Sequence, residues 1–546
     1  MNYFSQTMNT GVLAAWQQIP APRERGKAGW ATSRSGHSAT ILTRPVPRFK
    51  SPGSTFLELT ERGVRLETQL MNQAPEKLSS TSRREFLKTT GTAAAVSALA
   101  GVILPHVHAQ DSQTIQVALI GCGGRGGGAA RDALSAKDGP VKLVAMADVS
   151  QSQVKNSLDT LKRSPVASQL DVPEDRQFIG FDGYKHAMDS LRPGDVAIFT
   201  TPLAFRWVHF TYAIEKNLNV FMEKPLTADG PTSRRMLELA EKASAKNLKV
   251  GVGLMSRHSR ALQELQKRIQ DGEIGEINLM RGYRMASGPL ASAFSTRWPG
   301  KPKFPSELLW QISRFHSFIW ASGGCFSDFY IHHIDHLCMM KGSFPVKAQA
   351  LGGRHYRTTP DGVPYIDQNF DSYAVEYTFA DGAIMYMDGR CVTGAEAIYN
   401  SSVQGSKGSA IVAKNGDCGL PSSTYRTLKP QRDSLLWTSQ VKPDQADPYR
   451  NEWNDLIAAI RADKPYNEVP RGVQASVVTS MGRIAAHTGR ETTYEDVLNG
   501  DREYAAGCDK WTNDSPPPII ADADGKYPVP MPGKTTKHEY EMNIKA

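Results

Sequence analysis

A carboxylate and an imidazole stand four residues apart in one stretch of the chain, at Asp328 and His332. Residues i and i+4 of an α-helix share one face, so this spacing brings the two side chains together. A carboxylate beside a histidine fixes the tautomer of the imidazole and raises its basicity, which prepares a general base. The pair therefore indicates proton transfer. One plainer interpretation stays open, in which Asp328 caps the helix and His332 only packs.

A metal site is a second alternative for this stretch, because His332 and His336 also lie four residues apart. A zinc-protease helix would need glutamate at position 333, and His333 stands there. The six cysteines show no C-x-x-C pair and no zinc-ligand spacing. We therefore predict no metal centre, and we leave the roles of His333 and His336 open.

A glycine-rich turn follows the apolar segment 115–120 and precedes a helical pattern. It contains G-x-G-x-x-G at Gly121, Gly123 and Gly126. In a dinucleotide-binding turn the first glycine allows the tight bend, the second lets a pyrophosphate approach, and the third lets the helix pack on the strand. The helix N-terminus would then hold the phosphates, with Gly124 and Arg125 beside them. A glycine-rich turn that binds no ligand is the alternative.

A second apolar segment ends at Asp148, which is 148 − 126 = 22 residues after Gly126. This is close to the ~20 residues expected for the carboxylate that binds the ribose hydroxyls of a dinucleotide. A carboxylate at this position would repel a 2′-phosphate. The sequence therefore favours NAD over NADP as the cofactor.

Further polar and turn-forming residues end two later apolar segments, and strands alternate with helices throughout this half of the chain. These residues are Thr201, Pro202, Glu223, Lys224 and Pro225. The alternation predicts a doubly wound parallel sheet, whose ligands bind at the C-terminal ends of the strands. After residue 258 the pattern changes to helices and alternating strands, including a predicted antiparallel hairpin of 372–379 and 384–388. The fold class is α/β, a Rossmann sheet followed by an α+β domain with an open, mainly antiparallel sheet.

The predicted domain boundaries follow from these changes of pattern. We place a dinucleotide-binding domain at 110–257, a substrate and oligomerisation domain at 258–500 and an extended tail at 501–546. Residues 1–109 carry 13 Lys and Arg against 6 Asp and Glu, a surplus of +7. The net charge of the rest is therefore only +9 − 7 = +2, which gives no reason to expect nucleic-acid binding.

The basic region contains the pattern of an export signal at 71–109. The stretch 82–88, Ser-Arg-Arg-Glu-Phe-Leu-Lys, resembles the twin-arginine motif, and it precedes an apolar run and a small-residue cleavage pattern at 107–109. The run is too short to anchor the chain in a bilayer. A basic amphipathic helix of a cytoplasmic protein is the alternative. Residues 1–70 show no sustained period, so we expect translation to begin at Met71 or this extension to be disordered.

Four ordered motifs over about residues 115–495 resemble the Gfo/Idh/MocA oxidoreductase family. They are the glycine turn with Asp148, Thr201-Pro202 with His209, Glu223-Lys224-Pro225, and a Gly-Gly-x-x-x-Asp-x-x-x-His-x-x-Asp run that holds Asp328 and His332. The resemblance implies that these residues of the first domain bind the cofactor. It also implies that Lys224 holds the reacting oxygen, that His332 removes the hydroxyl proton and that Asp328 orients His332.

The resulting expectation is an exported, NAD-dependent enzyme that oxidises a hydroxyl of a sugar, polyol or sugar derivative. The expected partners are a small-molecule substrate and further copies of the same chain, since the open sheet of the family often forms oligomers. Free NAD is scarce outside the cytoplasm, which motivates an alternative. In that alternative the chain is a glycosidase or a sugar–sugar oxidoreductase whose NAD stays bound and is recycled in place. A non-enzymatic sugar-binding protein is a third hypothesis, against which the intact Lys224, Asp328 and His332 speak.

Overall fold

The structure is a computed structural model that describes residues 114–288, 296–355, 364–535 and 539–540, with positions 358 and 362. The predicted extension at 1–70 and almost all of the region before the first strand, including the export signal at 71–109, lie outside these residues. Across the described ranges, every helix is too short or too polar to span a bilayer.

The first sheet has six parallel strands in the order β3-β2-β1-β4-β5-β6. The strands are β1 Ile115–Ile120, β2 Val141–Asp148, β3 Gln177–Ile179, β4 Val196–Phe199, β5 Asn219–Met222 and β6 Val250–Val252, and the intervening helices are α1 Gly124–Leu134, α2 Gln151–Lys162, α3 Gly183–Asp189, α4 Arg206–Glu215 and α5 Gly230–Ala245. The central strands are buried on both faces, which explains their continuous apolar runs. The predicted doubly wound sheet is confirmed.

The second sheet has nine strands in the order β14-β13-β12-β11-β7-β10-β9-β8-β15. Its strands are β7 Ile277–Ala286, β8 Lys347–Gly353, β9 Ser372–Thr378, β10 Ile384–Cys391, β11 Ile398–Gly405, β12 Ser409–Lys414, β13 Ser423–Tyr425, β14 Leu435–Thr438 and β15 Thr492–Thr493. The predicted hairpin of β9 and β10 is confirmed. All neighbouring pairs are antiparallel except β7 with β10, which run parallel. The predicted open, mainly antiparallel sheet is therefore also confirmed.

The helices that follow β6 are α6 Arg260–Gln270, α7 Glu307–Ser313, α8 Ile319–Ser322, α9 Gly324–Lys341, α10 Pro448–Arg461, α11 Val469–Thr488 and α12 Tyr494–Leu498. Of these, α9 and α11 pack against strands of the second sheet. Helix α9 lies against the sheet where two strands carry glycine. A Cβ atom at Gly282 would be 2.8 Å from the sulfur of Met387 and 3.2 Å from Leu337, and one at Gly389 would meet the ring of Tyr330 at 2.3 Å. Glycine at these strand positions lets α9 approach closely.

Helix α10 covers a face of the first sheet, although it follows strands β7 to β14 of the second sheet in the chain. Its apolar stripe includes Trp453, Leu456 and Ile460, which are buried in the same cluster as the strand residues of β1 and β4. The ring of Trp453 stacks on Phe221 of β5 with ring centroids 4.5 Å apart. The core of the first sheet is thus completed by residues from the second half of the chain.

The last described residues are fixed to α11. Arg483 of α11 and Glu539 are both buried, and the guanidinium donates to both carboxylate oxygens of Glu539, at 2.8 and 3.0 Å. The same guanidinium donates to the carbonyl oxygen of Gly323 and to Ser327 Oγ, both at 2.9 Å. The C-terminal segment is therefore connected through one arginine to the start of α9.

Candidate active site

The glycine turn between β1 and α1 is closed on its inner side. Gly121 has φ +94°, a conformation that favours glycine, and a Cβ atom there would be 2.7 Å from the backbone nitrogen of Thr201. A Cβ atom at Gly126 would be 2.1 Å from the carbonyl oxygen of Gly121. These two glycines therefore allow the close packing of strand, turn and helix.

The same turn is open on its outer side. Cβ atoms at Gly123 and Gly124 would meet no heavy atom within 4 Å. Gly123 is also the N-cap of α1, so the free backbone N–H groups of the first turn lie beside this open space. Open space at a helix N-terminus suits a phosphate group, because the N–H groups and the helix dipole favour an anion.

Asp148 is the last residue of β2 and lies next to the turn. Its carboxylate accepts hydrogen bonds from the backbone nitrogens of Cys122, at 2.7 Å, and Ser150, at 2.9 Å. Burial raises the pKa of Asp148, and these backbone hydrogen bonds lower it. One carboxylate therefore braces the glycine turn and remains at the wall of the adjoining cavity.

A cavity of about 610 Å³ opens at the C-terminal ends of β1, β2 and β4. The predicted cofactor-binding residues that line it are Gly121, Gly123, Asp148, Thr201, Pro202 and His209. The remaining predicted residues, all within the described ranges, do not line it: Gly124, Arg125, Gly126, Glu223, Lys224, Pro225, Asp328 and His332. The volume and the open glycine turn fit the adenosine and phosphate parts of a dinucleotide.

His209 is buried at this wall and lies near Thr201, with 3.3 Å between His209 Nδ1 and Thr201 Oγ1. Burial, together with the cation of Arg206, lowers the pKa of His209 to about 3, so the imidazole is neutral at physiological pH. The guanidinium of Arg206 donates to the carbonyl oxygens of Thr201, at 2.8 Å, and Glu223. Arg206 thus joins the ends of β4 and β5, and no motif or spacing in the sequence indicates this role.

Arg125 and Glu223 form an ion pair. Arg125 Nε donates to Glu223 Oε1 at 2.6 Å, and the guanidinium also contacts Glu452 of α10 at 3.3 Å and Asp132 at 3.5 Å. The pair connects α1, the end of β5 and α10. In the structure these two predicted cofactor residues therefore pair with each other and with further residues of the same chain.

Lys224 and Asp328 come together from the two halves of the chain. Lys224 Nζ donates to Asp328 Oδ1 at 3.1 Å and to the carbonyl oxygen of Asp328 at 2.7 Å. The other carboxylate oxygen, Oδ2, lies 3.1 Å from Nε2 of His316. Burial alone would raise the pKa of Asp328, but Lys224 and His316 hold it well below its ordinary value. Asp328 is therefore ionised between two basic groups.

His332 lies on the same helix but is not paired with Asp328. Only 1% of its surface is exposed, and neither ring nitrogen has a hydrogen-bond partner among the described residues. Burial and the nearby cation of Lys224 hold the pKa of His332 well below its ordinary value. The expected contact between Asp328 and His332 is thus absent, because the carboxylate turns toward Lys224 and His316.

The two neighbouring histidines belong to other contacts. His333 Nδ1 lies 3.1 Å from Asp417 Oδ1, and His336 Nε2 lies 2.8 Å from Ser401 Oγ. Asp417 also accepts two hydrogen bonds from Arg284. Within the described part of the chain, no three His, Cys, Asp or Glu side chains are grouped so as to hold a metal ion.

Two segments outside the first sheet also line the dinucleotide cavity. The first segment contributes Lys303, Phe304, Pro305, Leu309, Ile312, Ser313 and Phe315, and the second contributes Cys508, Asp509 and Trp511. The ring of Trp511 packs edge-on against Phe205 at 5.8 Å and Trp320 at 5.6 Å. We call these two segments, 303–315 and 508–511, the second wall of the cavity.

Comparison with known families agrees with both halves of this site. Residues 115–268 match the NAD-binding Rossmann fold of the oxidoreductase family GFO_IDH_MocA, and residues 262–411 match the GFO/IDH/MocA C-terminal domain. The chain carries both domains of the Gfo/Idh/MocA oxidoreductase family. The two matches meet at α6, so Lys224 falls in the first Gfo/Idh/MocA domain and Asp328 in the second.

Individual relatives match smaller parts of the chain. Inositol 2-dehydrogenase of Corynebacterium glutamicum strain R is 33% identical over 88 residues, which are 16% of this chain and 26% of that protein. Inositol 2-dehydrogenase of Rhizobium meliloti strain 1021 is 27% identical over 277 residues, 50% of this chain and 71% of that protein. The chain thus spans about a quarter of the length of the first curated relatives that it matches.

A solved structure shows the same fold over a larger part of the chain. Levoglucosan dehydrogenase, solved as a complex with NADH and levoglucosan, superposes with a TM-score of 0.53 at 17% identity. The alignment covers 70% of this chain and 100% of that one. At this identity the likeness concerns the fold.

Proposed function

We propose that this chain is an NAD-dependent oxidoreductase that oxidises a hydroxyl group of a sugar, polyol or sugar derivative. The observation that carries the proposal is the contact between Lys224 and Asp328. It brings a cation at the end of a dinucleotide-binding sheet together with an ionised carboxylate of the second domain. The names of the relatives, which are inositol 2-dehydrogenases, support a polyol as the substrate.

The residues of the chain have separate tasks in this reaction. The ammonium of Lys224, whose side chain is 13% exposed, holds the hydroxyl oxygen and stabilises the negative charge that develops on it. Asp328 fixes the position of Lys224. The open side of the glycine turn holds the phosphates, and NAD when bound supplies the hydride acceptor. Holding the substrate in the reactive orientation is the main contribution of the protein.

NAD is proposed over NADP because of Asp148. Its carboxylate lies at the wall of the cavity beside the glycine turn, where it would accept hydrogen bonds from ribose hydroxyls and repel a 2′-phosphate. Replacement of Asp148 by alanine should therefore reduce the preference for NAD in equilibrium dialysis. An unchanged ratio of the two dissociation constants would contradict this assignment.

The proposed activity is tested by incubating the purified chain with NAD and a panel of inositols, other polyols and aldoses. A rise in absorbance at 340 nm with one of these compounds is the expected result. A chain that binds neither NAD nor NADP in equilibrium dialysis would overturn the proposal, because the glycine turn would then not be a dinucleotide-binding turn.

A second candidate function is favoured by the second wall of the cavity, which segments 303–315 and 508–511 form. Residues such as Phe315 and Trp511 come from outside the first sheet and line the cavity together with it. Additional contacts from these segments would slow the release of a cofactor, which suits a sugar–sugar oxidoreductase or a glycosidase that keeps and recycles its NAD. NAD released in stoichiometric amount from the denatured, freshly purified chain would support this candidate. A protein that is purified empty and reduces added NAD would support the simple dehydrogenase.

We also propose that the chain is exported by the twin-arginine pathway. The support is the stretch 82–88 with the apolar run and cleavage pattern that follow it. Replacement of Arg83 and Arg84 by lysine should keep the chain in the cytoplasm of an exporting host, as fractionation and immunoblotting would show. Equal distribution of the variant and the parent chain would contradict export by this route.

Self-association through the second sheet is a further part of the proposal. Leu351 of β8 is 78% exposed, although it lies within a strand. A large apolar side chain on an open sheet suits contact with another copy. Sedimentation equilibrium should therefore give a mass above that of the monomer, and Leu351→Glu should lower it.

A further inference from the structure

His316 belongs to the same cluster as Lys224 and Asp328, although no motif in the sequence points to it. It lies in a short 3₁₀ turn, Phe315–Ser317, which joins α7 to α8. Its Nε2 atom lies 3.1 Å from Asp328 Oδ2, while Lys224 contacts the other carboxylate oxygen. The carboxylate of Asp328 thus bridges an ammonium and an imidazole, with one oxygen for each.

The position of the His316 ring is fixed from several sides. It packs against the rings of Phe315 and Phe329, with centroids 3.9 and 5.6 Å away. Its backbone carbonyl accepts hydrogen bonds from Asn369 Nδ2, at 3.1 Å, and Ser322 Oγ, at 3.3 Å. The adjacent Phe315 lines the dinucleotide cavity. His316 therefore adjoins a residue that lines the cavity, and its own side chain stays partly exposed.

Exposure distinguishes His316 from His332. The side chain of His316 is 26% exposed, more than Lys224 at 13% or Asp328 at 10%. His332 is almost completely buried and has no carboxylate partner. A general base must receive a proton from the substrate and then release it to solvent, so an accessible imidazole with a carboxylate partner is better suited than a buried one without.

We propose that His316, oriented by Asp328, is the group that removes the hydroxyl proton in this site. This assignment rests on the proposed oxidoreductase function. With Nε2–H donating to Asp328, the lone pair of Nδ1 would accept the hydroxyl proton. NAD, when bound, would supply the acceptor for the carbinol hydride, so that the C–O bond becomes a carbonyl. The imidazolium so formed is stabilised by the Asp328 carboxylate and then loses its proton to water. Two electrons leave with the hydride, so the balance needs only NAD.

The test compares His316→Ala, His332→Ala and His186→Ala in the full chain, with a confirmed substrate. His186 is an exposed histidine of α3 and serves as the matched control. We expect His316→Ala to lose about 10²- to 10⁴-fold in kcat, the usual contribution of a general base. NAD binding in equilibrium dialysis should stay at the wild-type value. Added imidazole should raise the turnover of His316→Ala toward the wild-type value. It should leave the turnover of His332→Ala unchanged.

A second variant separates proton transfer from mere positioning. The amide of His316→Gln can still donate a hydrogen bond to Asp328, but it cannot accept a proton. Turnover as low as in His316→Ala supports the proposal, and wild-type turnover overturns it, because His316 would then only anchor Asp328. This variant also serves if the alanine variant does not fold, as judged by circular dichroism.

A chemical readout does not depend on turnover. Diethyl pyrocarbonate should carbethoxylate His316 faster than His332, and mass spectrometry of the peptides would locate the modification. Faster modification of His332 would overturn the proposal. If the wild-type chain binds no dinucleotide and oxidises no sugar or polyol, the proposed function fails as a whole. If the wild type is active and His316→Ala is equally active, only the assignment of His316 fails.

Discussion

Lys224 is fixed by two hydrogen bonds to a single residue of the second domain, Asp328. Replacement by methionine keeps most of the side-chain volume and removes the charge. We expect kcat to fall by about 10²- to 10³-fold, as on loss of one group that stabilises a developing oxyanion. The dissociation constant of NAD should change little, because Lys224 does not line the dinucleotide cavity.

The matched control for that variant is Lys216→Met. Lys216 pairs with Asp189 on the protein surface, and its side chain is 42% exposed. It should keep wild-type kcat in the same assay. If Lys224→Met also turns over a confirmed substrate at the wild-type rate, the role of Lys224 is refuted.

Two glycines of the turn should respond differently to the same added methyl group. At Gly123 the methyl would enter open space where phosphates are expected, so NAD binding should weaken about tenfold or more, a cost of about 1.4 kcal/mol, with little change in stability. At Gly126 it would collide with the carbonyl oxygen of Gly121, so the free energy of unfolding should fall by about 1–3 kcal/mol. Titration calorimetry and urea unfolding measure the two effects. Equal loss of stability in both variants would contradict the distinction.

The sequence predicts the roles of residues that belong to a local motif. It does not predict the roles of residues whose contacts are distant in the chain. Gly121, Gly126 and Asp148 stand at fixed spacings inside one strand–helix–strand unit, so their places in the fold follow from local sequence. His316 contacts Asp328 across a loop, and Arg206 acts through two backbone carbonyl groups. Neither contact leaves a spacing or a motif in the sequence.

At the scale of elements, α10 gives the clearest stability prediction. Trp453→Ala should lower the free energy of unfolding by about 3–5 kcal/mol, because it opens a cavity between α10 and the ring of Phe221 in the first sheet. Trp437→Ala is the control, since Trp437 is half-buried on an edge region of the second sheet. Urea unfolding measures both. Equal effects would mean that α10 does not brace the first sheet.

The amphipathic stripe of α10 was predictable from its period, but its partner was not. The apolar stripe of Trp453, Leu456 and Ile460 indicates that one face of the helix is buried, but it does not indicate which sheet that face packs on. The same limit applies to the second sheet. The turn at Asp381-Gly382 made the hairpin of β9 and β10 predictable, whereas the parallel pairing of β7 with β10 joins strands far apart in the chain.

At the scale of the whole molecule, the buried carboxylate of Glu539 should make stability depend on pH. Burial alone would raise the pKa of Glu539, but Arg483 and His487 hold it well below its ordinary value. The stabilisation is therefore complete above the unfolded-state pKa of about 4.3 and is lost as the pH falls below it. Unfolding free energies measured between neutral pH and pH 3 should show this loss.

The variant that isolates this contribution is Glu539→Gln. It should cost about 3–5 kcal/mol at neutral pH, because Arg483 is left buried without its counter-charge, and it should flatten the acid part of the profile. Glu491→Gln, which removes a surface pair with Lys347, should cost much less. A profile for Glu539→Gln that still falls as steeply as the wild type would exclude this carboxylate as its origin.

The placement of α10 has a consequence for the order of events during synthesis. The strands of the first sheet leave the ribosome early, but Trp453, which packs on one of their faces, is translated only after the strands β7 to β14 of the second sheet. Until then the nascent chain presents an apolar face, the kind of surface that chaperones recognise. Ribosome-bound chains stopped before Pro448 should therefore be captured by chaperones and cut readily by protease, and chains that extend past Arg461 should be released and resistant.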